Sequence, residues 1–240
     1  MVLQAETRRQ FYERWERLAR PYAGWQISQF HPYLGKRVAD IGCGIGQFLP
    51  FFENAELYAG LEPDPELRAA LLEKICPPRQ ILAPVPDITD PRCMEALRAL
   101  KLDTLLCVNV LEHIRDDEAA LRHMIQGLSP GGHLCLLVPA HPFLYGTLDR
   151  LDEHFRRYSK KALSALCLKA GEGRVSILKC HSMNLPGALG WFFKGRLLKE
   201  TRQKDENYQW MNRLLPLVAA VEKFIKPPFG MSLVVVARKQ

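Results

Sequence analysis

Nowhere in these 240 residues do two cysteines form a C-x-x-C pair, because the seven cysteines stand at least 13 positions apart. That spacing excludes the usual thiolate metal and dithiol redox motifs, and no metal site is expected. Cys107 and Cys135, inside apolar runs, read instead as reduced packing residues. Long hydrophobic runs are also missing: Leu185 to Phe193 and Leu214 to Val221 reach about half of the roughly 20 residues that cross a bilayer. No transmembrane helix is expected. The first residues carry Arg8, Arg9, Glu13, Arg14, Glu16 and Arg17 in place of a secretory apolar core, so a cytoplasmic location is expected. Internal repeats and low-complexity segments are absent too, which points to a compact chain throughout.

What is present is enough apolar material, 48%, for one α/β domain with an elaboration. Charge is uneven. Residues 1–150 carry 16 Lys/Arg against 19 Asp/Glu, a net −3, whereas residues 151–240 carry 17 against 7, a net +10. Such a basic region is either a solvated face or an attractor for an anionic substrate, a nucleic acid or an anionic membrane.

Strand-like runs occur at Lys36 to Ile41, Leu57 to Leu61, Gln80 to Ala83, Thr104 to Val110, His133 to Val138, Val175 to Cys180 and Leu233 to Ala237. Helical patterns fill Glu66 to Lys74, Pro91 to Leu100, Asp116 to Leu128 and Lys160 to Ala170, and residues 4–30 read as helical with an interruption at Pro21. Alternating β and α units with β-branched strands predict an α/β fold, a doubly wound and mostly parallel seven-stranded sheet. After Ala170 the alternation fails, and some 50 polar and aromatic residues precede the last strand. An insertion of that length is expected to be a functional cap.

The sharpest local signal is Asp40-Ile41-Gly42-Cys43-Gly44-Ile45-Gly46, directly after the first strand. Glycines there permit a tight turn and a close approach of backbone to ligand. Glu62, at the end of the second strand, is placed to accept both hydroxyls of a ribose, so a nucleoside ligand is implied. Gln47 occupies the place where dinucleotide binders carry a small residue, and Asp40 would repel a pyrophosphate while attracting a cationic amino-acid tail. The loop therefore favours S-adenosylmethionine (AdoMet) over NAD.

Together with Asn109-Val110-Leu111-Glu112-His113-Ile114 and Leu128-Ser129-Pro130-Gly131-Gly132, this loop resembles class I (Rossmann-like) AdoMet-dependent methyltransferases, in particular the bacterial type 11/12 group distantly like ubiquinone-biosynthesis enzymes. The match covers roughly residues 36–140. The resemblance implies an antiparallel last strand, and the broken alternation gives the expected division into a helical segment at 1–35, a core at 36–180, a helical cap at 181–230 and a final strand at 231–240. The resemblance also implies that Asp40, Gly42, Cys43, Gly44, Gly46 and Gln47 border the methionine part, that Glu62 with Pro63 holds the ribose, that Asp87 and Ile88 lie by the adenine with Asp90 as a competing choice, and that Asn109, Val110, Leu111 and His113 line the floor near the sulfonium. Farther on, Pro139 to Gly146, Asp149 to Tyr158 and Pro227 to Ser232 are similar to a subgroup of bacterial methyltransferases without an assigned acceptor.

Methyl transfer needs an acceptor held in line and, for a hydroxyl, a group that takes its proton. The segment at 141–158 follows the fifth strand at its carboxyl end, where ligands of doubly wound sheets bind. His154 or His141 is the expected proton acceptor, and Tyr145, Asp149, Arg157 and Tyr158 are expected to position the substrate. His113 either packs beside the cofactor or acts as a base. Asp149, Asp152 and Glu153 are alternatively a solvated run, and Arg156 and Arg157 are either surface charges or anion ligands, one pointing each way. Residues 185–199, with Trp191-Phe192-Phe193 ahead of Lys194, Arg196 and Lys199, read as a lid, a core helix or a peripheral membrane contact. The expected acceptor is a small or lipid-linked, anionic molecule. An NAD-dependent oxidoreductase, an RNA or DNA methyltransferase and a non-catalytic AdoMet-binding partner are the rivals; no nucleic-acid partner is expected, since no N/D-P-P-Y/F/W signature follows the fourth strand and no RNA-binding module is evident.

Overall fold

The computed structural model describes residues 7–199 and 205–240. Seven strands form one sheet: β1 (Arg37–Ile41), β2 (Leu57–Leu61), β3 (Gln80–Leu82), β4 (Leu102–Val108), β5 (Leu128–Pro139), β6 (Val175–Met183) and β7 (Ser232–Lys239). Their order is β3-β2-β1-β4-β5-β7-β6. The first five pair in parallel, and β7 inserts antiparallel to both β5 and β6. The chain thus reverses direction across the sheet at β1 and β4, the position at which doubly wound sheets open a crevice.

Period-two alternation divides the strands between two cores. Ala39, Ile41, Leu105, Cys107, Leu134, Leu136 and Val235 face one side, under α3 (Arg92–Ala99), α4 (Asp117–Gly127) and α6 (Lys160–Ala170). Val38, Tyr58, Leu106, Val108, Cys135, Leu137 and Val234 face the other, under α1 (Arg8–Ser28), α2 (Pro65–Leu72) and α8 (Asp205–Phe224). Helices on both faces are what near-continuous apolar strands require. The two remaining helices are short, α5 (Thr147–Leu151) and α7 (Leu185–Trp191); the latter runs into a π-helical turn at Phe192–Leu197.

Three expectations are corrected. Pro21 does not interrupt α1: one ladder bond is lost, and burial of Ala19, Ala23, Trp25 and Ile27 offsets it. The fourth strand ends at Val108, because Asn109 adopts a left-handed φ of 53°. The fifth begins at Leu128, five residues before the expected start, with Leu128 pairing to Leu102 before a register shift. α7, the π-turn and α8 lie between β6 and β7, the helical insertion that the broken alternation predicts.

Candidate active site

β1 delivers Asp40 into the glycine loop, and three left-handed glycines, Gly42, Gly44 and Gly46 at φ 64°, 57° and 85°, turn it back on itself. A β-carbon at Gly42 would stand 2.5 Å from the Val110 side chain, and one at Gly44 would meet the Tyr12 ring at 3.2 Å. Both contacts are instructive. Val110 forms the floor beneath the loop, and α1 covers it from above. Cys43 is buried within the turn, and Gln47 lines a surface groove with Glu16, Arg20 and Phe51.

Glu62 stands at the end of β2 and ties the loop together: Oε2 accepts from the Gly44 N–H at 2.8 Å and Oε1 from the Asp64 N–H at 2.9 Å. Burial pushes its carboxyl above the usual range. Each oxygen keeps a further acceptor site, so a vicinal diol can be added without breaking either bond. Pro63 beside it is exposed. Asp40 is buried and accepts the Tyr58 hydroxyl at 2.8 Å; burial pushes its carboxyl up to about 7. An acid in that state gains from a cation nearby.

Along the crevice, Asp87 Oδ1 accepts from Thr89 N and Thr89 Oγ1, both at 2.8 Å, and the carbonyl of buried Ile88 meets His123 Nδ1 at 2.8 Å. Asp90 is committed elsewhere, since it bonds Arg92 and the first turn of α3, and the Arg92 guanidinium holds its carboxyl down at about 2. Asn109 is fixed by its N–H on the Leu137 carbonyl at 2.8 Å. Leu111 is fully buried, whereas His113 is exposed.

The segment after β5 folds around Asp149. This acid, with no exposed side-chain surface, accepts from Gly146 N at 2.9 Å, Arg157 Nε at 2.6 Å and Trp191 Nε1 at 3.0 Å, and lies 3.1 Å from His154 Nδ1. Burial pushes its carboxyl up, but the His154 bond, the Arg157 charge and the Trp191 bond outweigh that and leave it below the usual range. Arg157 also bonds the Ala140 carbonyl at 3.0 Å and stacks on Trp191 at 5.1 Å. Tyr145 donates to the His154 carbonyl at 2.8 Å. Across the cluster, Glu112 Oε1 lies 3.9 Å from His154 Nε2, and neither Glu112 oxygen has a hydrogen-bond partner. Burial pushes that carboxyl up to about 7, with His154 opposing.

The sequence placed Asp149, Arg157 and Tyr158 against an acceptor; the structure buries all three, pairing Asp149 with Arg157 while Arg157 Nη2 keeps no hydrogen-bond partner, and Tyr158 donates to Asp117 at 2.8 Å. They hold the segment's shape. Arg156, by contrast, points outward and pairs with Asp117 at 2.7 Å, so the two arginines do diverge. His141 lies apart from His154, its Nε2 3.4 Å from Gly230 N and its ring against Phe143 and Phe229. Sequence reasoning missed Glu112, Trp191 and Tyr12. Glu112 also belongs, with His113 and His154, to a set whose ligand atoms lie within 4.8 Å of one another, a constellation with the chemistry to hold a cation among the described residues.

Comparison with known proteins agrees with this geometry. The family described as "Methyltransferase domain" matches residues 9–171. Among curated proteins, none matches the sequence. Among solved structures, an S-adenosylmethionine-dependent methyltransferase from Mesorhizobium loti is 14% identical and aligns over 90% of this chain and 98% of its own, with a TM-score of 0.59. One from Archaeoglobus fulgidus is 16% identical over 95% and 99%, with a TM-score of 0.60. One from Thermotoga maritima is 18% identical over 95% of each chain, with a TM-score of 0.59. At such identities the likeness carries the fold, and the family match carries the activity.

Proposed function

The chain belongs to the methyltransferase-domain family and is an AdoMet-dependent methyltransferase, and we propose that its acceptor is a small or lipid-linked molecule deprotonated by His154. The loop fits AdoMet. Gly42 and Gly44 let the loop backbone lie directly against Val110 and Tyr12 in a left-handed turn, Glu62 retains acceptor sites for the ribose hydroxyls, and the buried Asp40 supplies a counter-charge for a cationic ligand. When bound, AdoMet supplies a methyl carbon already activated by its sulfonium.

The chain's own work is then to orient, to exclude water and to move one proton. Val110 and Leu111 give an apolar floor beside the loop, and α1 with Tyr12 covers it. The contact that carries this reading is Asp149 with His154. Asp149 fixes the proton on Nδ1 of the imidazole, which leaves Nε2 with a lone pair to take the acceptor's proton, while Glu112 nearby steadies the imidazolium that forms. Among the described residues His141 has no carboxylate partner, so His154 is the better base.

Incubating the protein with AdoMet and pooled metabolites or lipid extracts, and reading products heavier by one CH₂, tests the acceptor class. A methylated small molecule or lipid supports the proposal. Methylation confined to added RNA, DNA or protein overturns it.

A further inference from the structure

A stripe of bare apolar side chains runs along α8. Trp210, Leu214, Leu217, Val221 and Phe224 recur at steps of four and three residues, which at 100° per residue confines them to an arc of about 80°. All are at least half exposed, Phe224 at 82%, and Ile225 at 70% continues the stripe past the helix end. The opposite face is committed to the core, where Leu215 is buried and Val218 and Ala219 pack. Glu222 is turned inward as well, its two oxygens accepting the N–H groups of Asn184 and Leu185 at the start of α7. Every exposed charge between residues 209 and 229 is therefore cationic: Arg213, Lys223 and Lys226. The 185–199 segment repeats the composition, with Phe193, Leu197 and Leu198 exposed and no carboxylate.

We propose that α8, together with residues 185–199, seats the protein on an anionic membrane surface, an inference that rests on the lipid-linked form of the acceptor reading. Soluble chains rarely leave such a patch in water. No helix among the described residues is long and apolar enough to cross a membrane, so the stripe lies in the interface plane, with apolar side chains among the acyl chains and the three cations at the headgroups. The surface is also joined to the candidate site. From Phe224 the chain passes through Phe229, whose ring packs on His141, to Gly230, whose N–H points at the His141 ring; on the other side Trp191 of α7 reaches Asp149. An acceptor drawn from the membrane would meet residues 141–158 directly.

Flotation of the full chain with phosphatidylcholine vesicles, with and without phosphatidylglycerol, tests this, alongside Leu217→Ser/Phe224→Ser and Arg213→Gln/Lys223→Gln/Lys226→Gln. The wild type is expected to float with the anionic vesicles. The apolar variant should lose at least about tenfold of that partitioning, and the charge variant about fivefold per cation, more at low salt than at high. Both should keep AdoMet affinity by calorimetry, which shows that they fold. A blue shift of Trp210 fluorescence on vesicles, lost in Trp210→Phe, would place the stripe itself in the lipid. Failure of the wild type to float with anionic vesicles overturns the proposal. So does a wild-type dimer in light scattering that the apolar variant splits, because a second copy would then cover the stripe. Vesicle binding accompanied by methylation only of soluble metabolites would overturn the lipid-linked acceptor and leave the membrane surface standing.

Discussion

The Nδ1 atom of His154 lies 3.1 Å from Oδ1 of Asp149, an acid wholly withdrawn from water. Three other donors, on Gly146, Arg157 and Trp191, converge on the same carboxylate, so the imidazole is held by a group that cannot itself swing away. A base placed by packing rather than by a flexible loop contributes through orientation as much as through basicity. On the proposed reading His154 is the base, and Asp149 acts through it as a positioning residue.

Replacing His154 by Ala should lower turnover by about 10²- to 10⁴-fold while leaving AdoMet affinity near wild type. His141→Ala should cost much less, since its ring meets Gly230, Phe143 and Phe229 and no carboxylate among the described residues. Single-turnover rates with a hydroxyl acceptor across pH 6 to 9 check both. Equal effects of the two variants would remove His154 from the role.

Asp149→Ala should be among the most destabilising single changes, by about 3 to 5 kcal/mol, because it strands the Arg157 guanidinium in the interior. Trp191→Phe removes one donor and keeps the ring over Arg157, so about 1 to 2 kcal/mol is expected. Urea midpoints of the two variants measure the difference. A smaller loss for Asp149→Ala than for Trp191→Phe would show that Arg157 finds water instead.

Asp40 predicts a pH dependence of stability. Its folded carboxyl sits at about 7, above the ordinary value of 3.8 that an unfolded chain would show. A raised folded value means that the folded state holds the proton more tightly; the contribution is complete below the unfolded value and is lost as pH rises through about 7. The span is worth roughly 4 kcal/mol at most. Asp40→Asn, which can still accept the Tyr58 hydroxyl, should abolish that slope, so the stability gap between variant and wild type should change between pH 5.5 and 8.5. A gap independent of pH would show that Asp40 ionises freely in the fold.

Much of this architecture was legible in the sequence because it rests on local signals. The β2 boundaries, Leu57–Leu61, match the apolar run, and α6 coincides with the helical pattern at Lys160 to Ala170. The glycine loop is legible because backbone geometry demands that residue. The centre around Asp149 was not, because its partners come from positions 5, 8 and 42 residues away and nothing local marks Trp191 as a donor to an acid in α5. Arg157 and Tyr158 read as acceptor ligands since charge and hydroxyl suggest exposure; only tertiary packing shows them inside. Glu112 lies within a quoted motif, but its burial depends on the 149–158 segment folding back over it, as the Phe155 N–H on the Glu112 carbonyl shows.

The last prediction separates the two ways in which Gly42 supports the cofactor loop. A β-carbon there would stand 2.5 Å from Val110 Cγ2, and the φ of 64° disfavours any side chain even where there is room. Gly42→Ala should therefore weaken AdoMet binding through both steric overlap and backbone strain. Val110→Ala relieves only the first. In a double-mutant cycle read by calorimetry, Val110→Ala alone should cost a little affinity, while in the Gly42→Ala background it should restore part of what was lost, leaving about 1 kcal/mol that reflects the left-handed backbone. Glu62→Ala, which unties Gly44 and removes the acceptor for the ribose, should cost about 1.5 to 3 kcal/mol of AdoMet affinity, and Val110→Ala should not rescue it, since the loss is of hydrogen bonds and not of space. Full rescue of Gly42→Ala would mean that crowding alone requires the glycine. No rescue would mean that Val110 moves aside freely, and that the loop's left-handed backbone by itself decides whether the cofactor is held.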